Sequence, residues 1–550
     1  MRPIPLAALL ISLSLPAQAQ QRPLLAHLDS LLSYALQPAA SLLQEAQSQP
    51  QAKGYALDYA VHVGTDWDSA RDGQWTQRQG RALWRMRVRS EDALSLSASL
   101  NLQSLPQGST LRIADAEGVV WAEHSAASDF WQSPIVPGEV LILEVELPTA
   151  ERGQSRIQIG GMQHGYRSLQ QLQKSGSCNN DTACPEGEAW DGPIRATARI
   201  TVNGTSLCSA VLLNNTRADG QPLLLTAEHC GLTADNASAT VVYWNYETSR
   251  CSADPDGSLR QNQSGGRLLA SNPNSDFALL ELDSAPSSAF QVYYAGWDSS
   301  GSAFDGGAGV HHPRGHEKRI SLFDIRPRKV RALVDGEPVQ SWEIFWSSGV
   351  TEPGSSGSGL FDSGGRVVGQ LSGGNSSCDN PDGADVYGRM DSSWNSSSSS
   401  NAQLKAWLDP NNSGLRSIYG LDSSSNTSAF ARNDAYVMEA AITRAAPLHV
   451  LGNDQGARPL RLLTATAEHG QVQIQDNELL YQPAPGHTQD RIVYTLVDRH
   501  GRSSSAEAQV TVEDSPSATA RSGWVRGGSL SMGLLLLLAC SAPVRRRLRA

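Results

Sequence analysis

A glycine- and serine-rich bend held between two apolar runs is the tightest constraint in this chain. It reads Val350-Thr-Glu-Pro-Gly-Ser-Ser-Gly-Ser-Gly-Leu-Phe-Asp362. Out of context, Gly354-Ser-Ser-Gly-Ser-Gly359 would also suit a flexible linker. Its flanks argue otherwise: Trp342, Ile344, Phe345 and Trp346 precede it and Arg366-Val-Val-Gly-Gln-Leu371 follows, both strand-like. A bend of this kind reverses the backbone sharply, exposes one side chain and gathers several N–H groups into one small space. With Ser356 as the exposed side chain, its Oγ can attack a carbonyl carbon, and the N–H groups of Gly354 and Ser356 can stabilise the oxyanion that forms. A glycine–serine turn without chemistry is the competing reading of this stretch taken alone.

A hydroxyl nucleophile needs a base, and the base needs an orienting group. Upstream, the apolar run in Gln221-Pro-Leu-Leu-Leu-Thr-Ala-Glu-His-Cys230 delivers His229 beside a cysteine. Between histidine and serine lies Asn274-Ser-Asp-Phe-Ala-Leu-Leu-Glu-Leu282, with Asp276 at the head of a short apolar strand. There a carboxylate can be half buried and accept a hydrogen bond from an imidazole. Each residue alone has a plain alternative: a packed core histidine, a strand-leading turn aspartate. Three such motifs in the order His229, Asp276, Ser356 are far more specific than any one of them.

These residues resemble the trypsin-like serine proteases, and within them the bacterial lysyl endopeptidases, over residues 175–422. The resemblance is carried by Ser177-Cys-Asn-Asn-Asp-Thr-Ala-Cys-Pro-Glu-Gly187, Thr226-Ala-Glu-His-Cys230, Val241-Val-Tyr-Trp-Asn-Tyr246, Ser275-Asp-Phe-Ala-Leu-Leu-Glu-Leu282, His311-His-Pro-Arg314 and the nucleophile bend. It implies an all-β catalytic domain of two six-stranded β-barrels with the site in the cleft between them, and no cofactor. Cys178, Cys184, Cys208, Cys230, Cys251 and Cys378 all fall in this region, and Cys540 stands apart. Six cysteines in an exported domain suggest three disulfides, whose pairing the spacing leaves open. The resemblance implies Cys178–Cys378, Cys184–Cys251 and Cys208–Cys230. A zinc reading finds no matching spacing. His311, His312 and His316 also tempt a metal reading, but Pro313 and Gly315 beside them suggest a surface loop instead.

In the lysyl endopeptidases, the aspartate of an Asp-x-Tyr-Gly-Arg run lies at the base of the specificity pocket. The matching run here, Ala384-Asp-Val-Tyr-Gly-Arg-Met390, makes that residue Asp385, with Asp379 and Asp382 as rivals nearby. A carboxylate at the bottom of an apolar slot pairs with a substrate ammonium and is left uncompensated by a neutral side chain. The sequence departs from the family at Ser372, where lysine-specific relatives carry a histidine, so arginine stays open beside lysine.

With 550 residues, several domains are expected. Residues 1–19 read as a secretory signal peptide, with Arg2, an apolar core from Leu6 to Leu15 and an Ala17-Gln-Ala19 cleavage site. Residues 20–174 hold no cysteine. The segment 27–47 has helical periodicity, followed by alternating runs such as Leu83-Trp-Arg-Met-Arg-Val88 and Val140-Leu-Ile-Leu-Glu-Val-Glu-Leu147. This β-rich region is read as a propeptide that aids folding and blocks the site, an accessory domain being the alternative. Its removal is expected at Lys174–Ser175.

Residues 392–401 read as a serine-rich surface loop and 402–408 as a short helix. Residues 423–428 are a linker by composition. Residues 429–514 show short alternating strands and resemble the cadherin-like or immunoglobulin-like β-sandwich modules of bacterial exoproteins. Residues 515–526 form a second linker. In 527–550, Gly527-Gly528, an apolar transmembrane run and Arg545-Arg-Arg-Leu-Arg549 resemble glycine-glycine sorting signals of Gram-negative bacteria. A plain membrane anchor is the alternative there.

The net charge of −11 argues against nucleic acid as the main partner. The combined expectation is a monomeric serine endopeptidase, secreted or attached to the cell surface after passing through the periplasm. It would cleave polypeptides after lysine, or also arginine, and would itself meet signal peptidase and a C-terminal sorting protease, with transient membrane association. A broader trypsin-like protease and a catalytically silent surface adhesin are the alternatives.

Overall fold

The computed structural model describes residues 31–513, with Leu25 and Leu28, apart from 49–51, 79, 103–104, 126–128, 168–175, 423–428 and scattered positions between 432 and 501. The signal peptide, the Lys174–Ser175 junction and the C-terminal run therefore lie outside the described residues. The chain divides into two compact units, 1–424 and 425–550.

The catalytic part of the first unit is built on two six-strand ladders. The first comprises β1 (Thr197–Val202), β2 (Ser206–Leu213), β3 (Leu223–Ala227), β4 (Val241–Tyr243), β5 (Gly266–Asn272) and β6 (Phe277–Leu282). Their order is β4-β1-β2-β3-β6-β5. The second comprises β7 (Gly307–His311), β8 (Arg319–Phe323), β9 (Glu337–Phe345), β10 (Gly359–Asp362), β11 (Val367–Gly374) and β12 (Ala384–Arg389), in the order β8-β7-β10-β11-β12-β9. Short accessory strands extend both. The expected all-β, trypsin-like architecture is present.

Strands β1 and β3 are buried along their whole length, which is why they read as continuous apolar runs. The two faces of a strand point in opposite directions, and here both meet apolar partners. Ala210, Leu212, Leu224 and Leu280 fill the interior of the first lobe. Their neighbours Val211, Leu213, Leu225 and Leu279 face outward into a seam with Trp297, Val310, Ile320, Phe361 and Val367 of the second lobe. A separate cluster of Phe323, Trp342, Ile344, Leu360, Leu371 and Tyr387 fills the second lobe.

Residues 33–165 form two further sheets around a core that includes Trp84, Met86, Leu111, Val145 and Met162. The helix expected over 27–47 is instead a strand, Ser33–Leu36, followed by the helix Ala40–Ser48. Pro38 disfavours helical backbone at Gln37 and splits the pattern. Tyr34 and its neighbours then pair in parallel with Arg87–Ser90. This region is joined to the first catalytic lobe. Leu57 and Asp58 pair antiparallel with Leu207 and Ser206 of β2, and Leu57, Tyr59 and Ile135 share an apolar cluster with Leu207, Val241 and Tyr243.

In 392–401 the expected loop holds only in part: Ser393 and Trp394 are buried at the end of the helix Met390–Trp394. The expected short helix is present as Lys405–Leu408, preceded by the 3-10 turn Ser400–Ala402. In the second unit, four strands in the order Asp434–Glu439, Ser503–Glu513, Gln489–Val497, Arg461–Ala467 and three in the order Ala446–Leu448, Glu478–Gln482, Gln471–Gln475 enclose Leu448, Leu479, Tyr481, Tyr494 and Val510.

The inter-lobe seam is the structural weak point to test. Trp297 is fully buried, lies 4.6 Å from the Trp394 ring and donates Nε1–H to Asn214 O at 2.9 Å. Trp297→Ala in a Ser356→Ala background is expected to cost about 3–5 kcal/mol in denaturant unfolding. A cost under about 1 kcal/mol would show that the seam collapses around the vacancy.

Candidate active site

Strand β3 runs into the turn Glu228–Cys230, which carries His229. The Cys208–Cys230 disulfide fastens that turn to β2. Asp276 heads β6 in a left-handed conformation, φ 51°. This bend aims both of its ends at the histidine turn. Its carboxylate accepts His229 N–H at 3.0 Å and Nδ1–H at 2.9 Å, and its carbonyl accepts Glu228 N–H at 3.0 Å. Gln370 Nε2 braces this loop from β11, donating to Ser275 O and Asp276 O at 2.8 and 2.9 Å. His229 Nε2 is buried and has no hydrogen-bond partner among the described residues.

The bend at 354–357 requires glycine twice. Gly354 has φ 92°, and a Cβ there would come within 2.8 Å of Gly315 N. Gly357 has φ 82°, and its Cβ would lie 2.1 Å from Thr226 Oγ1. The carbonyls of the bend are tied backward to β2, where Ser209 Oγ donates to Gly354 O at 3.0 Å and Ser209 N–H to Ser356 O at 2.8 Å. Ser355 is committed elsewhere: its N–H goes to Glu352 O, and its Oγ meets His311 Nδ1 at 2.7 Å. The N–H groups of Gly354 and Ser356 take no acceptor among the described residues and are the donors an oxyanion there would need. Ser356 Oγ donates to Tyr55 O at 3.5 Å.

Asp385 is fully buried, whereas Asp379 and Asp382 are exposed. Its Oδ2 accepts Trp346 Nε1–H, Thr351 Oγ–H and Ser376 Oγ–H at 2.7, 2.7 and 2.6 Å. Its Oδ1 accepts the ammonium of Lys53 at 2.8 Å. The same Nζ donates to Ser376 O at 2.5 Å and Ser376 Oγ at 2.8 Å. Burial draws the Lys53 pKa below its ordinary value, against the opposing pull of Asp385. Ser372 is buried and its Oγ accepts Gly388 N–H at 3.2 Å.

The expected disulfides are all formed: Cys178–Cys378, Cys184–Cys251 and Cys208–Cys230. Three such bonds indicate an oxidising, extracytoplasmic environment. The surface-loop expectation for His311, His312 and His316 is overturned, for all three are buried. His311 joins Ser355 to Ser321, and His312 bonds His316 O and stacks on Tyr246. Among the described residues no group of acidic, histidine and cysteine side chains has the arrangement of a metal site. Sequence reasoning missed Ser209, Thr351, Trp346, Ser376, Gln370 and Lys53. Single polar residues at these positions carry no local signal of the partners they meet.

A histidine–aspartate pair stands on the first lobe, and a serine bend whose N–H groups take no acceptor among the described residues stands on the second, the arrangement expected of a trypsin-like serine endopeptidase. Family comparison agrees. The lysyl endopeptidase C-terminal domain matches residues 172–388, the lysyl endopeptidase N-terminal domain matches 28–165, and the bacterial Ig domain matches 426–512. The chain belongs to the lysyl endopeptidase-like serine proteases. The lysyl endopeptidase of Pseudomonas aeruginosa is 28% identical over 383 residues, covering 62% of this chain and 79% of that protein. Among solved structures, the HtrA-type protease AlgW with a tripeptide overlaps 59% of this chain and 97% of its own at 14% identity, TM-score 0.28. The serine endoprotease from Yersinia pestis overlaps 38% and 63% at 14% identity, TM-score 0.25.

The buried histidine behind the 354–357 bend predicts a pH response. Burial first, then the charges of Lys53 and Arg319, push the His311 pKa down to about 3. The unfolded chain takes up that proton near pH 6.5, so the stability from neutral His311 is present above about 6.5 and is lost progressively as pH falls toward 3. In a Ser356→Ala background, His311→Asn should flatten the unfolding free energy over that window by about 1.4 kcal/mol per pH unit. An unchanged slope would mean that His311 titrates normally.

Proposed function

We propose that this protein is a secreted endopeptidase that cleaves after lysine, with Ser356 as nucleophile, His229 as base, Asp276 as orienting carboxylate and Asp385 as the determinant of specificity. The observation that carries this reading is a lysine ammonium held by three acceptors at the foot of the Asp385 pocket. An ammonium has three N–H donors in a pyramid, which suits Asp385 Oδ1, Ser376 O and Ser376 Oγ. A guanidinium is planar and pairs best with both oxygens of a carboxylate. Here Oδ2 already serves three neutral donors, so lysine is favoured over arginine despite Ser372.

In the proposed mechanism, a substrate lysine in the pocket sets its carbonyl carbon against Ser356 Oγ. His229 Nε2 takes the hydroxyl proton as Oγ attacks, while Asp276 holds Nδ1–H and stabilises the imidazolium. The N–H groups of Gly354 and Ser356 receive the oxyanion. His229 then protonates the leaving amine, and water hydrolyses the acyl-enzyme by the same steps in reverse.

We also infer that residues 20–174 are a propeptide removed by self-cleavage at Lys174–Ser175. Gly176 N–H bonds Glu352 Oε2 at 3.1 Å and Cys178 is joined to Cys378, so the new chain start would stay fastened beside the nucleophile bend. Purified Ser356→Ala protein should then accumulate uncut, and Lys174→Gln should slow maturation. Processing of Ser356→Ala to Ser175 in the absence of other proteases would exclude self-cleavage. The C-terminal sorting reading predicts an exported mass ending near Gly528, and a mass including Arg549 would support a permanent anchor instead.

The pocket assignment is tested on the matured enzyme. Asp385→Asn should lower kcat/KM toward a lysyl peptide by about 2–5 kcal/mol, since a buried ammonium loses its partner. The wild-type enzyme should cut lysyl over arginyl peptides in a library digest read by mass spectrometry. Undiminished lysine cleavage by Asp385→Asn would remove Asp385 from the pocket.

A further inference from the structure

The lysine in the pocket belongs to the chain itself, and its attachment is out of register with the nucleophile. We propose that residues 52–58 are a tethered pseudosubstrate, in which Lys53 fills the specificity pocket while the bend after it keeps every peptide bond from productive attack. This rests on the lysine-pocket reading above and adds the occupant and the reason it is not cut.

Lys53 is bound as a substrate side chain would be. Its side chain is 6% exposed, and Asp385 and Ser376 supply its acceptors. In a productive complex the residue in the pocket also presents its own carbonyl to the nucleophile, because positioning of the reacting atoms is what the pocket provides. Here the carbonyl against Ser356 Oγ is that of Tyr55, two residues further on. The Tyr55 side chain enters no pocket. It is about half exposed, and its hydroxyl bonds Asp335. Side-chain recognition and the carbonyl at the nucleophile are thus divided between two residues.

The bend between them explains the offset. Gly54 has φ 93°, a conformation that breaks the extended backbone required on both sides of a bond under attack, and one that L side chains rarely adopt. A Cβ built there would lie 3.3 Å from Val334 Cγ1 and 3.7 Å from Ser372 O. Beyond it, Leu57 and Asp58 are fixed to β2 by strand pairing, and Ser206 Oγ donates to Asp58 Oδ1 at 2.6 Å. Lys53 and Leu57 are therefore anchored on opposite sides of the cleft, and Gly54, Tyr55 and Ala56 must span it in a bulge.

The consequence reaches the catalytic groups. Ser356 Oγ lies 3.5 Å from Tyr55 O, and His229 Nε2 has no hydrogen-bond partner among the described residues. The hydroxyl proton is therefore not in the hand of the base. Occupying the pocket, the path across the cleft and the nucleophile's proton at once, this short segment accounts for inhibition without any distortion of the His229–Asp276 pair.

The experiment uses the full chain made uncleavable at the junction by Arg167→Gln and Lys174→Gln, with intactness checked by mass. Its hydrolysis of a small lysyl p-nitroanilide is compared with the same protein carrying Lys53→Ala. The expected result is at least a tenfold rise in turnover on Lys53→Ala. No rise, in a protein whose thermal midpoint is unchanged, overturns the proposal, and so does cleavage at Lys53–Gly54 in the intact parent. Should Lys53→Ala fail to fold, labelling of the Ser356→Ala protein with N-hydroxysuccinimidyl acetate decides. Lys53 should be acetylated at least tenfold more slowly than the exposed Lys329, and equal rates overturn the proposal. Matured Asp385→Asn assayed alongside separates the two readings. Retained lysyl turnover there removes the pocket itself, whereas lost turnover with no opening by Lys53→Ala removes only the pseudosubstrate.

Discussion

The seam between the two lobes governs everything the site can do. His229 and Asp276 stand on the first lobe, and Ser356 and Asp385 stand on the second, so these four side chains are brought together only where Val211, Leu213, Leu225 and Leu279 meet Trp297, Val310, Phe361 and Val367. This burial is non-directional and cannot alone set distances at the scale of a hydrogen bond. Ser209 supplies the direction. Lying on β2 beside the seam, it ties both Gly354 O and Ser356 O to the first lobe and accepts His312 N–H on its hydroxyl. With the carbonyls turned back, the N–H groups of the bend face the cleft.

Around the pocket the same economy appears in electrostatic form. Burying an ammonium or a carboxylate alone is costly, and a pair is tolerated only where its remaining bonding capacity is met. Asp385 meets that condition through Trp346, Thr351 and Ser376 on one side and Lys53 on the other. Burial depresses the Lys53 pKa, the penalty that any ammonium taken out of water faces. A cation buried there must match the acceptors left over, as the Lys53 ammonium does with Asp385 Oδ1, Ser376 O and Ser376 Oγ.

Much of the candidate site's local structure was legible because it depends on neighbouring residues. The glycines at 354 and 357 declared a backbone conformation that other residues rarely adopt. The apolar runs ending at His229 and beginning after Asp276 declared strands buried on both faces. Errors arose where a local signal was ambiguous. Pro313 and Gly315 suggested a surface loop, yet the three histidines around them are interior, because neutral imidazoles are compact hydrogen-bonding groups that join Ser355 to Ser321 and cap His316 O. Leucine spacing over 27–47 suggested one helix, yet Pro38 and an available edge at Arg87–Ser90 turned half of it into a strand.

The amino-acid sequence by itself determined the strands, the glycine-rich bend around Ser356, the order of the three motifs and the carboxylate candidates around Asp385. These depend on periodicity, backbone conformation and residue chemistry within a few positions of each other. Only the tertiary structure decided that Asp385 rather than Asp379 or Asp382 is buried, that the Gly354 and Ser356 N–H groups take no acceptor among the described residues, and that Lys53 reaches a carboxylate 332 residues away. Such contacts are set by how two lobes and a preceding domain close on one another. No spacing along the chain encodes which lone polar side chain will stand opposite which.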